Sequence, residues 1–470
     1  MSRIERDLLG EMELPDGALF GIQTERARHN FPVSGRVVRS EIVRAMAQVK
    51  RACALANQEC GYLDAIRADA IVRAAEEVAR GVFAEQFVVD AMQGGAGTST
   101  NMNVNEVIAS RATQLSGTRV DPLEHVNLHQ STNDTYPTAV RVAAIEALQR
   151  LEPSLLGLQQ ALQEKERELA HVVKLGRTQL RDAVPVTLGR EFGAYANALS
   201  RDRWRIFKSV ERLRVVNLGG TAVGTGIAAP RDYIFLATDK LREATGAGLA
   251  RAENLMDATQ NQDAFVEVSG MLRAHAVNLV KIARDLRLLS SGPQGGLGEI
   301  ELPAMQPGSS LMPGKINPVI PEMVVQVGMR VMACDYEVNQ VAMSGELELN
   351  AFLPLLADAL LEAIFLLERT DVLFAERCIR GIKAHEARCR DLMERSREVV
   401  TALIPRIGHA AAVRLAQYML EHDCPVRQAC REQGLLTDAE LDELLAAERL
   451  CALGWRDAAD ATGTRSGDRG

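Results

Sequence analysis

Side chains that can bind or deprotonate a small acid are concentrated in four short segments of this chain. The richest segment, residues 307–318, holds Ser309, Ser310, Lys315 and Asn317 on a loop of glycines and prolines. Two hydroxyls, an ammonium and an amide suit an anionic substrate, whereas a plain surface linker seldom combines so many hydrogen-bonding groups. The loop does not match a nucleotide-binding P-loop, because five residues separate its glycines and isoleucine follows the lysine.

Two further segments bring hydroxyls and amides to the start of predicted helices. Residues 94–106 place three consecutive hydroxyls after a glycine loop, where backbone N–H groups attract a carboxylate. A simple Ser/Thr helix cap would account for one of these hydroxyls but not for three. Residues 125–134 include His125 and His129 at the spacing of a helical metal pair. No third ligand follows at a suitable spacing, so we predict no zinc site and assign both histidines to a helix surface or the core.

The remaining segments carry weaker signals. Residues 176–187 are predicted to form a polar turn between two helical stretches. The glycines of residues 219–226 look like a dinucleotide-binding loop, but they follow a helical pattern and no βαβ unit is predicted around them, which argues against a nicotinamide cofactor. His275 lies on the apolar face of a long helical pattern and is predicted to be a core residue.

The elements that must position these segments are long helices. Apolar residues recur at steps of three and four over residues 265–289, which predicts one long amphipathic helix. The same spacing predicts helices over residues 42–56, 188–213 and 320–338, with Pro318 as the first position of the last one. Strand-like alternation is scarce, so the sequence predicts an all-α fold. Helices about 40 Å long, at about 1.5 Å per residue, commonly bundle between subunits.

Composition limits the classes of protein and partner. The chain has 470 residues, and 54 Lys and Arg against 62 Asp and Glu give a formal net charge of −8. This mild acidity, without a block of basic residues, argues against nucleic acid and anionic membrane as partners and favours a small molecule. No apolar run reaches the length of a membrane span, and the first residues do not have the order of a signal peptide. The eight cysteines form no C-x-x-C pair, so a cytoplasmic location is predicted.

Glycine, proline and changes in periodicity indicate domain boundaries. We predict an N-terminal domain over residues 1–135, a central long-helix domain over residues 136–392 and a small C-terminal helical domain over residues 393–455. Residues 456–470, which are rich in small and polar residues, are predicted to be disordered. The central domain would then carry the loop at residues 308–318.

Four segments, taken in chain order, resemble the motifs of the aspartase/fumarase superfamily. They are Gly-Gly-Ala-Gly-Thr-Ser-Thr-Asn-Met-Asn-Val-Asn-Glu (94–106), Gln-Ser-Thr-Asn-Asp (130–134), Gly-Arg-Thr-Gln-Leu-Arg-Asp-Ala-Val-Pro (176–185) and Gly-Ser-Ser-Leu-Met-Pro-Gly-Lys-Ile-Asn-Pro (308–318), which matches the signature loop. The resemblance covers nearly the whole chain. Leu-Leu-Ser-Ser-Gly-Pro (288–293) and Val-Ile-Pro-Glu (319–322) look closer to aspartases than to class II fumarases.

The resemblance implies a fold, an assembly and a reaction. The fold would be all-α with three domains, in a homotetramer whose long helices form a twenty-helix core and whose active sites each draw on three subunits. The implied reaction removes a proton from the carbon beside a carboxylate and then expels the neighbouring amine or hydroxyl to leave fumarate. Because that carboxylate accepts the carbanion's charge, hydrogen-bond donors must be arranged around it beforehand.

The resemblance also assigns roles to individual residues. Ser309 matches the serine base, which backbone amides and positive charge must activate as the loop closes. Lys315 and Asn317 would hold the α-carboxylate. Glu322 would support Gln179 or Lys315 without contacting the substrate itself. The donors for the charge-accepting carboxylate would be Thr98, Ser131, Thr132 and Ser310, while Asn133, Thr178 and Gln179 would orient the substrate amine.

Gln179 bears on the choice of leaving group. Fumarases and many relatives have histidine at this position, and glutamine cannot act as a general acid. Hydroxide needs such an acid to leave, whereas an ammonium group departs as neutral ammonia without one. We therefore predict an ammonia-lyase for L-aspartate. The alternatives are a class II fumarase or a lyase for another fumarate adduct, and a catalytically silent helical scaffold similar to the crystallin relatives of the superfamily.

The predicted ligands follow from this resemblance. The substrate would be a small dicarboxylate or amino acid, and no organic cofactor is implied. A divalent metal such as magnesium modulates activity in relatives, but the sequence shows no site for one.

Overall fold

A computed structural model describes residues 2–454, so the predicted disorder of residues 456–470 lies outside the described part of the chain. Helices dominate this part, which confirms the all-α prediction. The α-helices, in chain order, are α1 (Ile22–Asn30), α2 (Ser40–Glu59), α3 (Ala65–Ala79), α4 (Thr98–Ser116), α5 (Thr132–Glu168), α6 (Leu188–Arg212), α7 (Arg231–Thr245), α8 (Leu255–Gln260), α9 (Asp263–Leu289), α10 (Val319–Ala342), α11 (Leu353–Arg377), α12 (Glu386–Arg395), α13 (Ile404–Ile407), α14 (His409–His422), α15 (Val426–Glu432), α16 (Asp438–Leu444) and α17 (Ala447–Leu450).

The strands are short and form two-stranded sheets. In chain order they are β1 (Ser2–Asp7), β2 (Gly10–Pro15), β3 (Val173–Thr178), β4 (Arg181–Thr187), β5 (Val215–Val216), β6 (Ala250–Arg251), β7 (Ile300–Glu301) and β8 (Lys383–Ala384). β1 pairs with β2, β3 with β4 and β7 with β8, all antiparallel. β5 and β6 pair in parallel. Short 3₁₀ helices occupy Ala84–Gln86, Ile379–Gly381 and Arg397–Leu403, and a π-helical turn occupies Pro122–Val126.

The long helices follow the predicted apolar spacing. α2, α9 and α10 cover three of the predicted ranges, and α6 ends at Arg212, one residue short of the fourth. Along α9 the stripe that includes Phe265 and Leu272 is buried, and His275 is buried with it, as predicted. α10 begins at Val319 rather than at Pro318. The Pro318 carbonyl accepts the Glu322 N–H at 3.1 Å, so the proline precedes the first turn instead of occupying it.

Residues 173–187 form a β-hairpin, which corrects the predicted polar turn between helices. Thr178 lies opposite Arg181 at the closed end of the hairpin. Gly176 and Pro185 obscured the strand pattern, because both residue types are uncommon inside strands. The register also shifts by an irregularity around Gly176, which breaks the alternation that a regular strand would show.

A short parallel strand pair encloses the glycine-rich segment, which corrects the prediction that no βαβ unit surrounds it. β5 leads into residues 218–226, α7 follows, and β6 pairs with β5. Each of these strands has only two residues. Two residues cannot produce a recognisable alternation in a sequence, so this unit was visible only in the structure.

The described chain comprises two compact units, and the boundaries between them fall within the longest helices. The first unit consists of the residues up to Ser154, Asp202–Val277 and Val327–Arg369, and the second of Leu155–Arg201, Asn278–Gln326 and the residues from Thr370 onward. The three-domain division stays a prediction.

Each unit has its own packed elements. In the first, α2 packs against α3 and α7, and α3 packs against α4. In the second, α12 packs on β3, while α14, α15 and residues 397–403 surround an apolar cluster that includes Leu415 and Val426. Within residues 2–454, every helix is too short or too polar to cross a membrane.

Candidate functional site

A glycine with a left-handed backbone places Thr98 at the start of α4. Gly97 has φ +95°, and a Cβ on this residue would lie 2.4 Å from Cδ2 of Tyr136 in α5. Only glycine permits both this backbone conformation and this close approach. Thr98 is exposed, and its hydroxyl donates to the Gly95 carbonyl at 2.7 Å. The Tyr136 ring therefore holds the loop that carries Thr98 against the first turn of α5.

The first turn of α5 carries the second group of predicted residues. Asn101 of α4 donates from Nδ2 to Oγ1 of Thr132 at 3.0 Å. The Ser131 hydroxyl accepts the Asn133 N–H at 3.2 Å, and Asn133 Nδ2 donates to the Ala222 carbonyl at 2.8 Å. The structure thus joins the first turn of α4, which begins with Thr98, to the first turn of α5 within the first unit.

A buried lysine lies under this segment. The side chain of Lys50 in α2 is inaccessible to solvent, and Nζ donates to Asn127 Oδ1 at 3.0 Å and to Gln130 Oε1 at 2.8 Å. Burial lowers the pKa of Lys50 to about 8, while Cys53 and Asp134 attract its charge. Lys50 supplies positive charge directly behind the residues that precede Ser131.

Thr178 and Gln179 lie at the end of the β3–β4 hairpin in the second unit. Gln179 and Leu180 form the two-residue turn, with φ +55° and +59°. Two left-handed residues in succession are the signature of a type I′ turn, whose twist matches the flanking strands. Both Thr178 and Gln179 are exposed, so the hairpin presents them at its tip.

A buried ionic cluster anchors this hairpin. Glu299 is inaccessible to solvent, and both of its carboxylate oxygens accept from Arg177 Nη1, at 2.9 and 3.0 Å. Lys174 Nζ lies 3.2 Å from Glu299 and 2.8 Å from Glu191. Burial raises the pKa of Glu191, while Lys174 opposes that effect. Because Arg177 directly precedes Thr178, the cluster fixes the strand that leads to the tip.

The signature loop folds back on itself. The Gly308 N–H donates to the Lys315 carbonyl at 2.7 Å, and Asn317 Nδ2 donates to the Gly308 carbonyl at 2.6 Å. A Cβ on Gly308 would lie 2.7 Å from the Lys315 oxygen, so a larger residue would force the two ends of the loop apart. The loop is a closed structure that positions the residues between Gly308 and Lys315.

Ser309 is the best-defined side chain of this loop. Its Oγ accepts the backbone N–H groups of Leu311 at 3.1 Å and Met312 at 2.9 Å. Two donors on one hydroxyl oxygen stabilise negative charge there. An ST-turn of this kind also occurs in loops without catalytic function, but its donors have the polarity that a serine base requires.

Lys315 and Ser310 are exposed, and neither side chain makes a hydrogen bond or ion pair with any residue of the described chain. They are therefore available to a ligand. Asn317 already donates within the loop. Glu322 lies with its carboxylate 3.9 Å from the Arg287 guanidinium, so its predicted support of Gln179 or Lys315 stays a prediction.

The predicted residues fall into two groups. Thr98 and residues 131–133 belong to the first unit, whereas the hairpin tip and the signature loop belong to the second. The assigned roles of both groups stay predictions.

The sequence analysis gave no role to several residues that hold these groups in place. The burial of Lys50 could have been predicted from the sequence, because Lys50 occupies the apolar stripe of α2 beside Val49. The pairing of Arg177 with Glu299 could not have been predicted, because 122 positions separate the two residues. Among residues 2–454, no group of three or more His, Cys, Asp or Glu side chains has an arrangement that could hold a metal ion.

Comparison with known proteins places this fold and these motifs in one family. The family described as "Lyase" matches residues 10–333, and the family described as "Fumarase C C-terminus" matches residues 399–452. The chain therefore belongs to the aspartase/fumarase superfamily and is a lyase.

Individual relatives span nearly the full length of the chain. An aspartate ammonia-lyase of Pseudomonas canavaninivorans is 49% identical over 459 residues, which are 96% of this chain and 97% of that protein. A class II fumarate hydratase of Corynebacterium efficiens is 46% identical over 450 residues, 94% of this chain and 95% of that protein. The crystal structure of a Brucella melitensis "fumarate lyase:delta crystallin" bound to cobalt is 47% identical, with a TM-score of 0.92 over 96% of this chain and 100% of that one.

Proposed function

We propose that this protein is an aspartate ammonia-lyase, which converts L-aspartate to fumarate and ammonia. The observation that carries the proposal is the arrangement of Ser309, whose Oγ accepts two backbone N–H groups. The same loop carries Lys315, whose ammonium has no hydrogen-bond or ion-pair partner among residues 2–454. This arrangement suits a base that removes a proton from a bound dicarboxylate. Several relatives at 43–49% identity are aspartate ammonia-lyases, which supports the amine as leaving group.

The proposed reaction begins with removal of the proton by Ser309. For this step the Ser309 hydroxyl first gives its own proton to solvent water, and the resulting alkoxide then takes the proton of the substrate C–H bond. The N–H groups of Leu311 and Met312 would stabilise the alkoxide, which is otherwise too high in energy at neutral pH. The electron pair of the broken C–H bond passes into the adjacent carboxylate, which becomes a doubly negative aci-form. The donors proposed to stabilise that form are the hydroxyls of Thr98, Ser131, Thr132 and Ser310.

The second half of the reaction expels the amine. The aci-form returns its electrons to form the C=C bond of fumarate, and the C–N bond breaks to release ammonia. Lys315 and Asn317 would hold the α-carboxylate, while Asn133, Thr178 and Gln179 would orient the amine. Gln179 cannot protonate a leaving group, which favours ammonia over hydroxide. The proposal includes no organic cofactor.

A homotetramer with active sites shared by three chains forms part of the proposal. Large apolar side chains recur on single faces of the long helices and are exposed in the single chain. A face of this kind on a long helix is a packing surface for another helix. They include Trp204 and Phe207 on α6, Met329 and Tyr336 on α10, and Phe365 and Val372 on α11.

The compartment and the partners complete the proposal. We place the enzyme in the cytoplasm, with a small dicarboxylate or amino acid as its ligand and with neither nucleic acid nor membrane as a partner. The free thiols of all eight cysteines are compatible with a reducing compartment.

The deciding experiment compares two substrates. The purified protein is incubated with L-aspartate or with L-malate, and the ultraviolet absorbance of fumarate is followed. Formation of fumarate from aspartate alone is the expected result. Turnover of malate without aspartate would contradict the proposal.

A class II fumarase is the second candidate, because the fumarate hydratase relative is 46% identical. Its signature would be turnover of malate in this assay. A silent scaffold would leave both substrates unchanged, but Ser309, Lys315 and Asn317 are all present in this chain, which speaks against it.

A further inference from the structure

The glycine-rich segment at residues 218–226 has no part in the proposed reaction, yet it contacts the proposed substrate segment. The backbone N–H groups of Gly219 and Thr221 both donate to Oδ2 of Asp134, at 3.0 and 3.1 Å. Backbone N–H groups that converge from a glycine-rich loop normally bind an external anion such as phosphate. In this protein the anion they bind is a side chain of α5.

The other oxygen of Asp134 binds the segment that precedes it. Oδ1 accepts the Ser131 N–H at 3.0 Å. An ordinary capping box at the start of α5 would account for this bond, since its third residue returns to the N-cap N–H. It would not account for the two bonds to Oδ2. The carboxylate therefore connects residues 131–134 to the glycine-rich segment.

Asp134 is fully buried, so its bonds are protected from water. Burial raises the pKa of Asp134 to about 6, while the three N–H donors and Lys50 oppose that shift. The carboxylate is therefore largely ionised at neutral pH and can accept at both oxygens.

Asn133 is also hydrogen-bonded to the glycine-rich segment and to Asn217, which directly precedes it. Its Nδ2 donates to the Ala222 carbonyl at 2.8 Å, and its carbonyl accepts from Asn217 Nδ2 at 2.9 Å. Asn217 is itself buried and also donates to Thr259 Oγ1 at 2.9 Å. The substrate segment is thus attached to the glycine-rich segment at two neighbouring residues.

The backbone conformation of the glycine-rich segment is restricted by close contacts and by residues with positive φ. Gly219 has φ +89°, and a Cβ there would lie 2.9 Å from Cγ2 of Ile234 in α7. Thr221 has φ +54°, a conformation that is rare for a β-branched residue. The Asp134 bond to the Thr221 N–H helps to hold this conformation, and the segment in turn supplies a fixed support.

We propose that Asp134 is a positioning residue for the substrate segment Ser131–Asn133, and that the glycine-rich segment is the internal anion-binding loop that holds it. This inference rests on the proposed function, because it assumes that residues 131–133 contact substrate. Asp134 touches no reacting atom. It acts by fixing where the Ser131 and Thr132 hydroxyls and the Asn133 amide point.

The test is Asp134→Asn in the full-length protein. Asparagine has the same shape but replaces one acceptor oxygen with a donor, which would face an N–H group. The matched control is Asp335→Asn, because Asp335 is also buried in the first unit and accepts from Ser269 Oγ and Arg273 Nη1, outside the substrate segments. A purely structural role for Asp134 would give both variants the same kinetics.

We expect Asp134→Asn to lower kcat/KM at least about tenfold, the factor for losing a hydrogen bond to a charged group. The fall in kcat should be at least as large as the rise in KM, because Ser131 and Thr132 would stabilise the aci-form, which exists only after the proton is removed. Asp335→Asn should leave kcat/KM unchanged. A kcat/KM like that of the wild type in Asp134→Asn would overturn the inference, as would equal changes in both variants. If Asp134→Asn does not fold, Asn217→Ala serves instead: a fall in kcat/KM is expected, and an unchanged value would count against the inference.

A second measurement separates this inference from the proposed function. Amide hydrogen exchange of residues 131–133 should be faster in Asp134→Asn than in the wild type and unaffected in Asp335→Asn. If the wild type turns over malate instead of aspartate, the proposed function fails, while kcat and KM for malate in the two variants still test the positioning role. If neither substrate reacts, exchange alone decides: equal rates in all three proteins would refute the attachment, and faster exchange in Asp134→Asn would support it.

Discussion

The Ser309 Oγ accepts the backbone N–H of Met312 at 2.9 Å, three residues along the same loop. With the Leu311 N–H at 3.1 Å, this bond gives the hydroxyl oxygen two fixed donors, which stabilise negative charge on it. A serine in this setting is suited to lose its proton. The relationship depends on the loop closure between Gly308 and Lys315.

Replacing Ser309 by alanine removes the proposed base and should lower kcat roughly 10²–10⁴-fold, the range for loss of a general base. The proposed tetramer should remain intact, because among residues 2–454 the Ser309 side chain bonds only within its own loop. Fumarate absorbance measures the rate, and size-exclusion chromatography with light scattering measures the assembly. Leu311→Ala, at an exposed side chain of the same loop, is the control. Turnover close to wild type in Ser309→Ala would eliminate Ser309 as the base.

Lys315→Ala should act on substrate binding. The ammonium has no partner within the described chain, so its removal costs the protein no internal ion pair. Loss of one charge-assisted bond to a carboxylate corresponds to an increase in KM of about 10–100-fold, with a smaller effect on kcat. Lys315→Arg keeps the charge and should recover part of the affinity. An unchanged KM in Lys315→Ala would contradict the assigned role.

Glu299→Gln should destabilise the second unit. The substitution leaves the Lys174 ammonium and the Arg177 guanidinium without their shared buried carboxylate. Breaking a buried ion pair in this way costs about 3–5 kcal/mol. Urea unfolding followed by circular dichroism gives the free energy of unfolding. The matched control is Glu301→Gln two residues later, where the exposed carboxylate lies 3.7 Å from His385 and the change should stay within about 0.5 kcal/mol. Equal losses in both variants would refute the anchoring role of Glu299.

Lys50 gives a pH-dependent prediction. Its pKa is about 8 in the folded protein, against 10.5 for the free side chain. Between these values the unfolded chain binds a proton that the folded chain does not, so the free energy of unfolding rises with pH in this window. Relative to Lys50→Met, the wild type should gain about 3 kcal/mol from below pH 8 to above pH 10.5. Denaturant titrations of both proteins at several pH values measure this difference. A difference that does not change with pH would mean that Lys50 is not desolvated.

Structural features that depend on residues close together in the sequence could be predicted from it, whereas features that depend on residues far apart in the sequence could not. Helix spacing in α9 predicted both the helix and the burial of His275, because a 3.6-residue period is a local pattern that a single segment carries complete. The β3–β4 hairpin escaped prediction because Gly176 and Pro185 interrupt its strands. The two-residue strands β5 and β6 have no recognisable pattern in the sequence, because each is defined only by its hydrogen-bond pairing with the other.

The candidate site divides in the same way. Ser309, Lys315 and Gln179 could be identified as candidate site residues from the sequence, because they occur in contiguous motifs whose composition and spacing indicate their chemistry. The residues that hold those motifs in place could not be identified from the sequence. Asp134 binds a loop 85 to 87 positions away, and Lys50 donates to side chains 77 and 80 positions away.

The helical architecture, the family and the set of groups available for chemistry could therefore all be predicted from the amino-acid sequence, because these depend on short-range order. Which buried charge faces which donor became evident only in the folded chain. That choice depends on three-dimensional packing: the cost of burying the Asp134 or Glu299 carboxylate is met by donors that the folded chain, not the local sequence, brings within hydrogen-bond distance.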